Sequence, residues 1–311
     1  MRILVTGAAG FLGSKLCGRL QDKHEVIGAD LRQAVPEFVG SWVHVQSPTD
    51  LTNAIASTRP DAIIHAAFNN KKAVGDSDES YLAAVIANNL SLFEAAAQVK
   101  AKLLLVSSSA VYGSGLGQNV IDEACPRRPV TLYGVAKSLQ EMLADHSAAA
   151  KGLSLCIVRL FNLCGPDQPR GLLWADWLGQ ALSIRNGAAP ILRVPHCRTA
   201  RDFVDVRDGA AALALLVERF RPGECVNVAS GKPLHLRELG HRIISLCSKP
   251  CQIVETDPRP SGTDVAAQCG SNAHIHDLVG WRPTFPWQQS LMDQWEAMLA
   301  QDLAVSKGDA N

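Results

Sequence analysis

The chain has 311 residues, and its 30 Lys and Arg balance 30 Asp and Glu to a formal net charge of zero. At 47% hydrophobic and 19% charged, it has enough apolar material for a full core and lacks the net charge of a disordered chain. The balance also excludes a general nucleic-acid or anionic-membrane binder, because those partners demand a cationic surplus. Any anionic ligand must therefore be held by local groups.

Arg2 to Thr6 is a predicted strand and Phe11 to Asp22 a helix. Strands follow at Glu25 to Asp30, Val43 to Gln46, Ala62 to His65, Leu103 to Ser107 and Leu155 to Arg159, with helices near 49–57, 80–99 and 131–150. Runs such as Ile3-Leu4-Val5 and Leu103-Leu104-Leu105-Val106 suit strands buried on both faces. The βαβα rhythm predicts an α/β fold, a doubly wound parallel Rossmann sheet. After Arg159 the rhythm weakens. Segment 163–200 is loop-rich around one helix, Leu173 to Asn186. Segment 201–232 returns to helix and strand, and the tail ends in a helix from Trp287 to Ala300. The expected division is a dinucleotide-binding domain of 1–162 plus about 201–232, a small interwoven substrate domain of about 163–200 plus 233–303, and a frayed end over 304–311.

The longest apolar run, Ala210 to Val217, is far short of the ~20 residues that span a bilayer. The first strand leads straight into a glycine-rich turn, which leaves no room for a signal peptide. The nine cysteines are scattered with none in a CxxC pair, and Cys247 with Cys251 is a poor zinc spacing. Reduced thiols in a cytoplasmic protein are expected. His274, His276 and Asp277 match no metal-ligand motif, so no metal is expected.

Thr6-Gly7-Ala8-Ala9-Gly10-Phe11-Leu12-Gly13 joins the first strand to the first helix. A GxxGxxG spacing there has a mechanism: one glycine for the tight turn, one for close approach of a pyrophosphate, one for packing helix on strand. The helix N-terminus offers N–H groups and a positive dipole end to phosphate. Asp30 ends the second strand, about 20 residues on, where a carboxylate bonds the adenosine ribose hydroxyls. That carboxylate repels a 2′-phosphate, so NAD is favoured. Arg32 keeps NADP open.

Tyr133-Gly134-Val135-Ala136-Lys137 opens a helix, and i, i+4 spacing puts Tyr133 and Lys137 on one face. A phenol ordinarily titrates near ~10. A nearby ammonium favours the phenolate, and the tyrosine can then exchange a proton with a hydroxyl or carbonyl during hydride transfer. Ser107-Ser108-Ser109 ends a parallel strand, where open α/β sheets bind ligands and a hydroxyl can stabilise charge on a reacting oxygen.

TGAAGFLG, HAA (65–67), SSSAVYG, YGVAK, RLFN (159–162) with Gly165-Pro166, and RDFVDV (201–206) together resemble the extended short-chain dehydrogenase/reductases. Within them the chain resembles the NAD-dependent epimerase/dehydratase group that acts on nucleotide sugars. The segment Gly165-Pro166-Asp167-Gln168-Pro169 most resembles GDP-6-deoxy-4-keto-mannose reductases. The resemblance implies a catalytic Ser108, Tyr133 and Lys137. Cofactor contacts fall on Gly7, Gly10, Phe11, Leu12, Gly13, Asp30, Arg32, Ala66, Ala67, Tyr133 and Lys137. Substrate contacts fall on Ser108, Ser109, Asn162, Arg201 and Arg259. Lys71 or Lys72 lies in the segment after HAA that passes near the substrate, although a solvated lysine pair is the better reading.

The departures also inform. Dehydratase members carry an Asp-Glu pair where this chain has Ser109 and Ala110, so dehydration is not expected. The strand-end acid that usually touches adenine falls near Gln46 or Ser47. The asparagine of an NxxGT pattern falls on Val85, with Asn88 and Asn89 about one turn later. The expected function is hydride transfer to or from a carbinol or keto carbon of a nucleotide sugar, favoured as 4-keto reduction, with epimerisation using tightly bound NAD as the alternative. A non-catalytic NAD(P)-binding regulator fits less well, because such proteins often lose the tyrosine or lysine. The Ala/Leu-rich helices near 80–99 and 131–150 are expected to pair into the four-helix bundle of a homodimer.

Overall fold

A computed structural model describes all residues except 35–37, 69–76, 114–119, 196, 198, 248, 257–266 and 309–311, and no side chain after residue 303. The first half alternates strand and helix: β1 (Arg2–Thr6), α1 (Phe11–Leu20), β2 (Glu25–Asp30), β3 (Ser41–His44), α2 (Pro48–Thr58), β4 (Ala62–His65), α3 (Asp78–Gln98), β5 (Lys102–Ser108), a 3₁₀ turn (Ser109–Tyr112), α4 (Leu132–Lys151) and β6 (Ser154–Leu160). The chain continues with β7 (Asn162–Cys164), α5 (Leu173–Arg185), β8 (Ile191–Val194), β9 (Ala200–Asp205), α6 (Val206–Glu218) and β10 (Cys225–Val228). It ends with β11 (Pro233–His235), α7 (Leu236–Ile244), β12 (Gln252–Glu255), β13 (Ala267–Gln268), α8 (Ala273–Val279) and α9 (Trp287–Gly308).

Seven strands form one sheet in the order β10-β6-β5-β4-β1-β2-β3, every pair parallel. Ile3, Leu4, Val5, Leu103, Leu104 and Leu105 are fully buried, as strands covered on both faces require. One face packs on α1 and α6, the other on α2, α3 and α4. Strand order reverses between β1 and β4, and the carboxyl ends of β1, β4 and β5 open onto the crevice that such a switch point creates.

The predicted β3 starts two residues earlier than expected, at Ser41, because Trp42 pairs with Gly28 and its ring fills the space a Cβ there would take. Segment 201–232 is shared between two sheets. α6 and β10 belong to the large one, whereas β9 pairs with β7, β11 and β13 in a small one. β8 and β12 form a separate parallel pair. Trp174, Trp177, Leu178, Leu239, Ile243, Leu291 and Trp295 make the core of this smaller unit. The last helix does not stop at Ala300 but runs on to Gly308, so the expected frayed end is helical to that point.

The RDFVDVRD stretch is the joint between the two units. Buried Asp202 accepts from Ser230, Gly231 and Gly270. Asp205 caps α6 and accepts from Arg207 and Ser290. Asp208 accepts from Thr284 and Phe285. Each carboxylate satisfies backbone donors that burial would otherwise leave unpaired.

Candidate functional site

The β1–α1 turn is built around the Gly7 carbonyl. Gly7 itself has φ +73°, a conformation L side chains rarely adopt, and its N–H donates to the Ala29 carbonyl at 2.8 Å. A Cβ on Gly13 would sit 2.0 Å from the Gly7 oxygen, so only glycine lets α1 begin this close to the strand. α1 has no side-chain cap and no acidic residue in its first turn. Its leading N–H groups thus remain available to an anion.

Asp30 is held beside this turn. One carboxylate oxygen accepts from the Ala9 N–H at 3.0 Å, the other from the Arg32 N–H at 3.0 Å and Nε at 3.3 Å. Arg32 thus turns back onto Asp30 while remaining mostly exposed. On one side lies a cavity of about 730 Å³ lined by Gly10, Phe11, Lys15, Arg32 and Asp167. On the other lies one of about 300 Å³ lined by Leu31, Gln46, Ser47, Ala67 and Asn88. The Ser47 side chain caps α2 in a reciprocal pair with Asp50. An uncapped helix start, a turn of glycines and alanines and a carboxylate at the strand end fit a dinucleotide.

Ser108 ends β5, and its Oγ accepts from the Ala110 N–H at 3.2 Å, leaving its own proton free to donate. Thr131 caps α4 by accepting from the Gly134 N–H at 3.1 Å. A Cβ on Gly134 would stand 2.6 Å from the Ala110 carbonyl, so this glycine lets the helix start press against the 3₁₀ turn. That approach brings Tyr133 and Ser108 together on the wall of one cavity. Burial pushes the Tyr133 phenol above its ordinary value, and the Ser108 contact pulls it back.

Lys137 is 3% exposed. Its Nζ donates to the Val106 carbonyl at 2.8 Å and to Gln140 Oε1 at 3.1 Å, and stands 3.8 Å from the centre of the Phe68 ring. Burial draws its pKa down to about 7, against the opposing pull of Glu141. His65 is pushed to about 3 by burial and then by Lys137, so it is neutral. Its Nδ1 lies 2.8 Å from the Thr6 hydroxyl.

Ser108, Tyr133, Lys137, Phe11, Leu12, Ala66 and Asn162 line one cavity of about 480 Å³. Phe68, Gln168, Leu172, Leu173 and Phe203 complete it, and among the described lining residues none is a carboxylate. Asn162 also donates to the Asp202 carbonyl at 3.0 Å. Ser109 stands apart: it is buried, and its hydroxyl donates to Gln268 at 3.2 Å. Arg201 does not line this cavity, and one of its N–H groups donates to the Ala200 carbonyl at 2.8 Å. Arg259, Lys71 and Lys72 lie outside the described residues. His274 meets Glu224 at 2.8 Å and His276 meets Arg282. Among the described residues no cluster of His, Cys, Asp or Glu is placed to hold a metal.

The sequence marks Asn89 only as a displaced NxxGT asparagine and assigns no role to His65, Gln140, Glu141 or Arg159. Each is a polar side chain inside an otherwise apolar strand or helix face, which is the one signal that could find them.

The model of the NAD dependent epimerase/dehydratase family matches residues 3–229. The chain is 26% identical to a GDP-6-deoxy-D-mannose reductase of Pseudomonas aeruginosa, over 97% of this chain and 99% of the relative. It is also 26% identical to a UDP-glucose 4-epimerase of Azospirillum brasilense, over 97% and 94%. Among solved structures, the UDP-glucose 4-epimerase of Thermus thermophilus in complex with NAD superposes with a TM-score of 0.81 at 26% identity, covering 96% of this chain and 98% of that one.

Proposed function

The chain belongs to the NAD dependent epimerase/dehydratase family, and on that premise we propose that it is an NAD-dependent reductase of a 4-keto nucleotide sugar. The observation that carries this reading is the meeting of Ser108, Tyr133 and Lys137 on one cavity. When bound, a nicotinamide would supply the hydride. As the carbonyl carbon gains it, the oxygen becomes an alkoxide, and the Tyr133 O–H gives that oxygen its proton. The Ser108 O–H donates to the same oxygen and stabilises its charge. Lys137 would hold the cofactor ribose. Asp30 accepts from the adenosine ribose hydroxyls, and the first turn of α1 takes the pyrophosphate. In this reading Asn162 faces the sugar diphosphate, while Arg201, outside this cavity, and Arg259, outside the described residues, stay candidates for it from the resemblance alone.

Two features support reduction over the family's other chemistries. Dehydration needs a carboxylate beside the catalytic hydroxyl, and Ser109 and Ala110 stand there instead. Epimerisation needs the keto sugar to turn and present its other face. Here Gln168 in the cavity wall is pinned at both ends of its amide, donating to the Leu163 carbonyl at 2.8 Å and accepting from the Ala175 N–H at 3.0 Å. A fixed wall favours one pose. Epimerisation is the second reading, because an epimerase relative matches at the same 26% identity as the reductase.

The test is a panel of GDP-, dTDP- and UDP-linked 4-keto sugars with NADH or NADPH, followed at 340 nm. Stoichiometric NADH oxidation is expected, and Tyr133→Phe should reduce it by about 10²–10⁴-fold. Conversion of a UDP-sugar into its 4-epimer without added nucleotide or absorbance change would move the assignment to epimerase. Leu90, Val135 and Met142 are exposed apolar residues on α3 and α4, which supports a homodimer through these helices; sedimentation velocity at micromolar concentration tests it. No helix of the described residues is long and apolar enough to cross a membrane, and the nine cysteines are free thiols, in keeping with a cytoplasmic setting.

A further inference from the structure

A lysine that must present one N–H to a ligand needs its other donors fixed. Lys137 has two fixed partners, and they differ in kind. The Val106 carbonyl is backbone of β5 and is held by the sheet. The Gln140 amide is a side chain, and either of its ends could face the ammonium. Only the oxygen end is useful there, since Nζ has no acceptor role when charged.

The neighbours settle which end it is. Asn89, on α3, lies 2.7 Å from the Val85 carbonyl. A backbone carbonyl can only accept, so the Asn89 atom beside it is the nitrogen, Nδ2. The other end of Asn89 is then its oxygen, and it lies 2.7 Å from the Gln140 amide. That contact requires the Gln140 nitrogen, which turns Gln140 Oε1 to Lys137. The chain of donors runs Lys137 to Gln140 to Asn89, and Asn89 back to its own helix. Lys137, Gln140 and Asn89 are 3%, 0% and 4% exposed, so water does not compete for any of these bonds.

We propose that Gln140 is a positioning residue for Lys137, and that Asn89 sets the end of the Gln140 amide that faces the ammonium. Spacing i, i+3 puts Gln140 one turn beyond Lys137 on the same helix face, and the packing of α3 on α4 brings Asn89 to it. The arrangement leaves the third N–H of Lys137 for the cavity that the lysine and the Phe68 ring, its centre 3.8 Å from Nζ, both line. Gln140 also shares the helix with Glu141, whose carboxylate is occupied by Arg159, Arg127 and Ser107. The remaining titratable neighbours are Tyr133 on the same helix and neutral His65 on β4. An oxygen acceptor from Gln140 favours the charged form of the lysine against the burial that opposes it.

The inference rests on the assignment of Lys137 to the cofactor ribose, but its test does not need a sugar substrate. The Lys137 midpoint is read by ¹³C NMR of lysine-labelled protein, its resonance identified by its absence in Lys137→Met, and NAD⁺ affinity is measured alongside by calorimetry. Gln140→Met, similar in length and without an acceptor, should lower the midpoint by about one pH unit and weaken NAD⁺ about three- to tenfold at pH 8. Gln140→Glu, which keeps an acceptor and adds charge, should raise the midpoint. Asn89→Leu should lower it by less than Gln140→Met. A residue that only fills space would not move the midpoint in opposite directions in the two Gln140 variants. Equal midpoints in the wild type, Gln140→Met and Gln140→Glu would overturn the proposal. Failure of every sugar in the panel would leave these midpoints intact, so the two readings fail separately.

Discussion

Helix α4 carries two buried polar networks a few residues apart, and they are built on opposite principles. Around Glu141 the charges cancel: Arg159 donates Nη2 at 2.8 Å and Nε at 3.0 Å, Arg127 adds a contact at 3.2 Å and itself meets Asp145 at 3.5 Å, and Ser107 donates a hydroxyl. Arg159 continues to Tyr112, and Tyr112 to Asn227 at 2.7 Å, which ties β6 to β10. Around Lys137 the charge does not cancel. Among the described residues no carboxylate comes within ion-pair distance of its Nζ, and its partners are two neutral carbonyl oxygens. A buried pair with all its hydrogen bonds made closes on itself. A buried ammonium held only by neutral dipoles keeps its field for whatever enters the cavity, at the cost of a depressed pKa. The first network locks strands to helix. The second keeps one charge in reserve.

Removing one charge from the balanced network should have the largest effect. Glu141→Ala leaves Arg159 buried without its carboxylate, and loss of one partner of a buried pair costs about 3–5 kcal/mol. Urea unfolding should show that loss with an unchanged m-value. A cost below about 1 kcal/mol would mean that water reaches Arg159 and that the two networks do not differ in kind.

The unbalanced network should instead reveal itself through pH. Lys137 has its pKa lowered by burial from 10.5 to about 7. Between those values the unfolded chain binds the proton and the folded one does not, so stability rises with pH across the window. Below about pH 7 both states are charged, and the full cost of burying the ammonium is present. Lys137→Met removes that cost but strands the Val106 and Gln140 carbonyls, which are worth about 1–3 kcal/mol each when unpaired. The slope, rather than the offset, is therefore the readout. The wild type minus Lys137→Met difference should rise by up to a few kcal/mol from pH 7 to 10. A flat difference would show that the lysine is effectively solvated through the cavity.

The two networks also differ in how much of them can be read from the chain. Tyr133, Lys137 and the Gly7–Gly13 turn are legible because each depends on local spacing: i, i+4 on one helix, or glycines between a strand and a helix. The strands of the large sheet are legible because continuous apolar runs such as Leu103-Leu104-Leu105 have few alternatives. Gln140 and Asn89 are 51 residues apart, and their contact exists only because α3 packs on α4. No periodicity within either helix reports that. Asn89 nonetheless answers the absence of an asparagine at Val85: it lies one turn on, and its amide reaches back to the Val85 carbonyl. The small sheet is the least legible part. β7, β11 and β13 are two or three residues long, too short for a period to appear, and their pairing is set by the Asp202 and Asp205 bonds.

A third charged pair, on the surface, gives the comparison its lower bound. Lys15 on α1 donates to Asp167 at 2.6 Å, with side chains 34% and 52% exposed, and joins the cofactor turn to the start of the segment that carries Gln168. In water such a contact is worth about 0–1 kcal/mol. At about 1 M salt the screening length falls to roughly 3 Å, and the contact should contribute almost nothing. Lys15→Met should therefore lower stability by less than about 1 kcal/mol at low salt, with the difference vanishing at high salt. The cost of Glu141→Ala should persist at both salt concentrations, because the buried pair is shielded from mobile ions. The contrast is sharpest when both variants are unfolded in parallel across a salt series. If the Lys15→Met cost survived high salt, the pair would be acting through geometry, holding Asp167 at its left-handed φ of 69° and with it the wall beside the substrate.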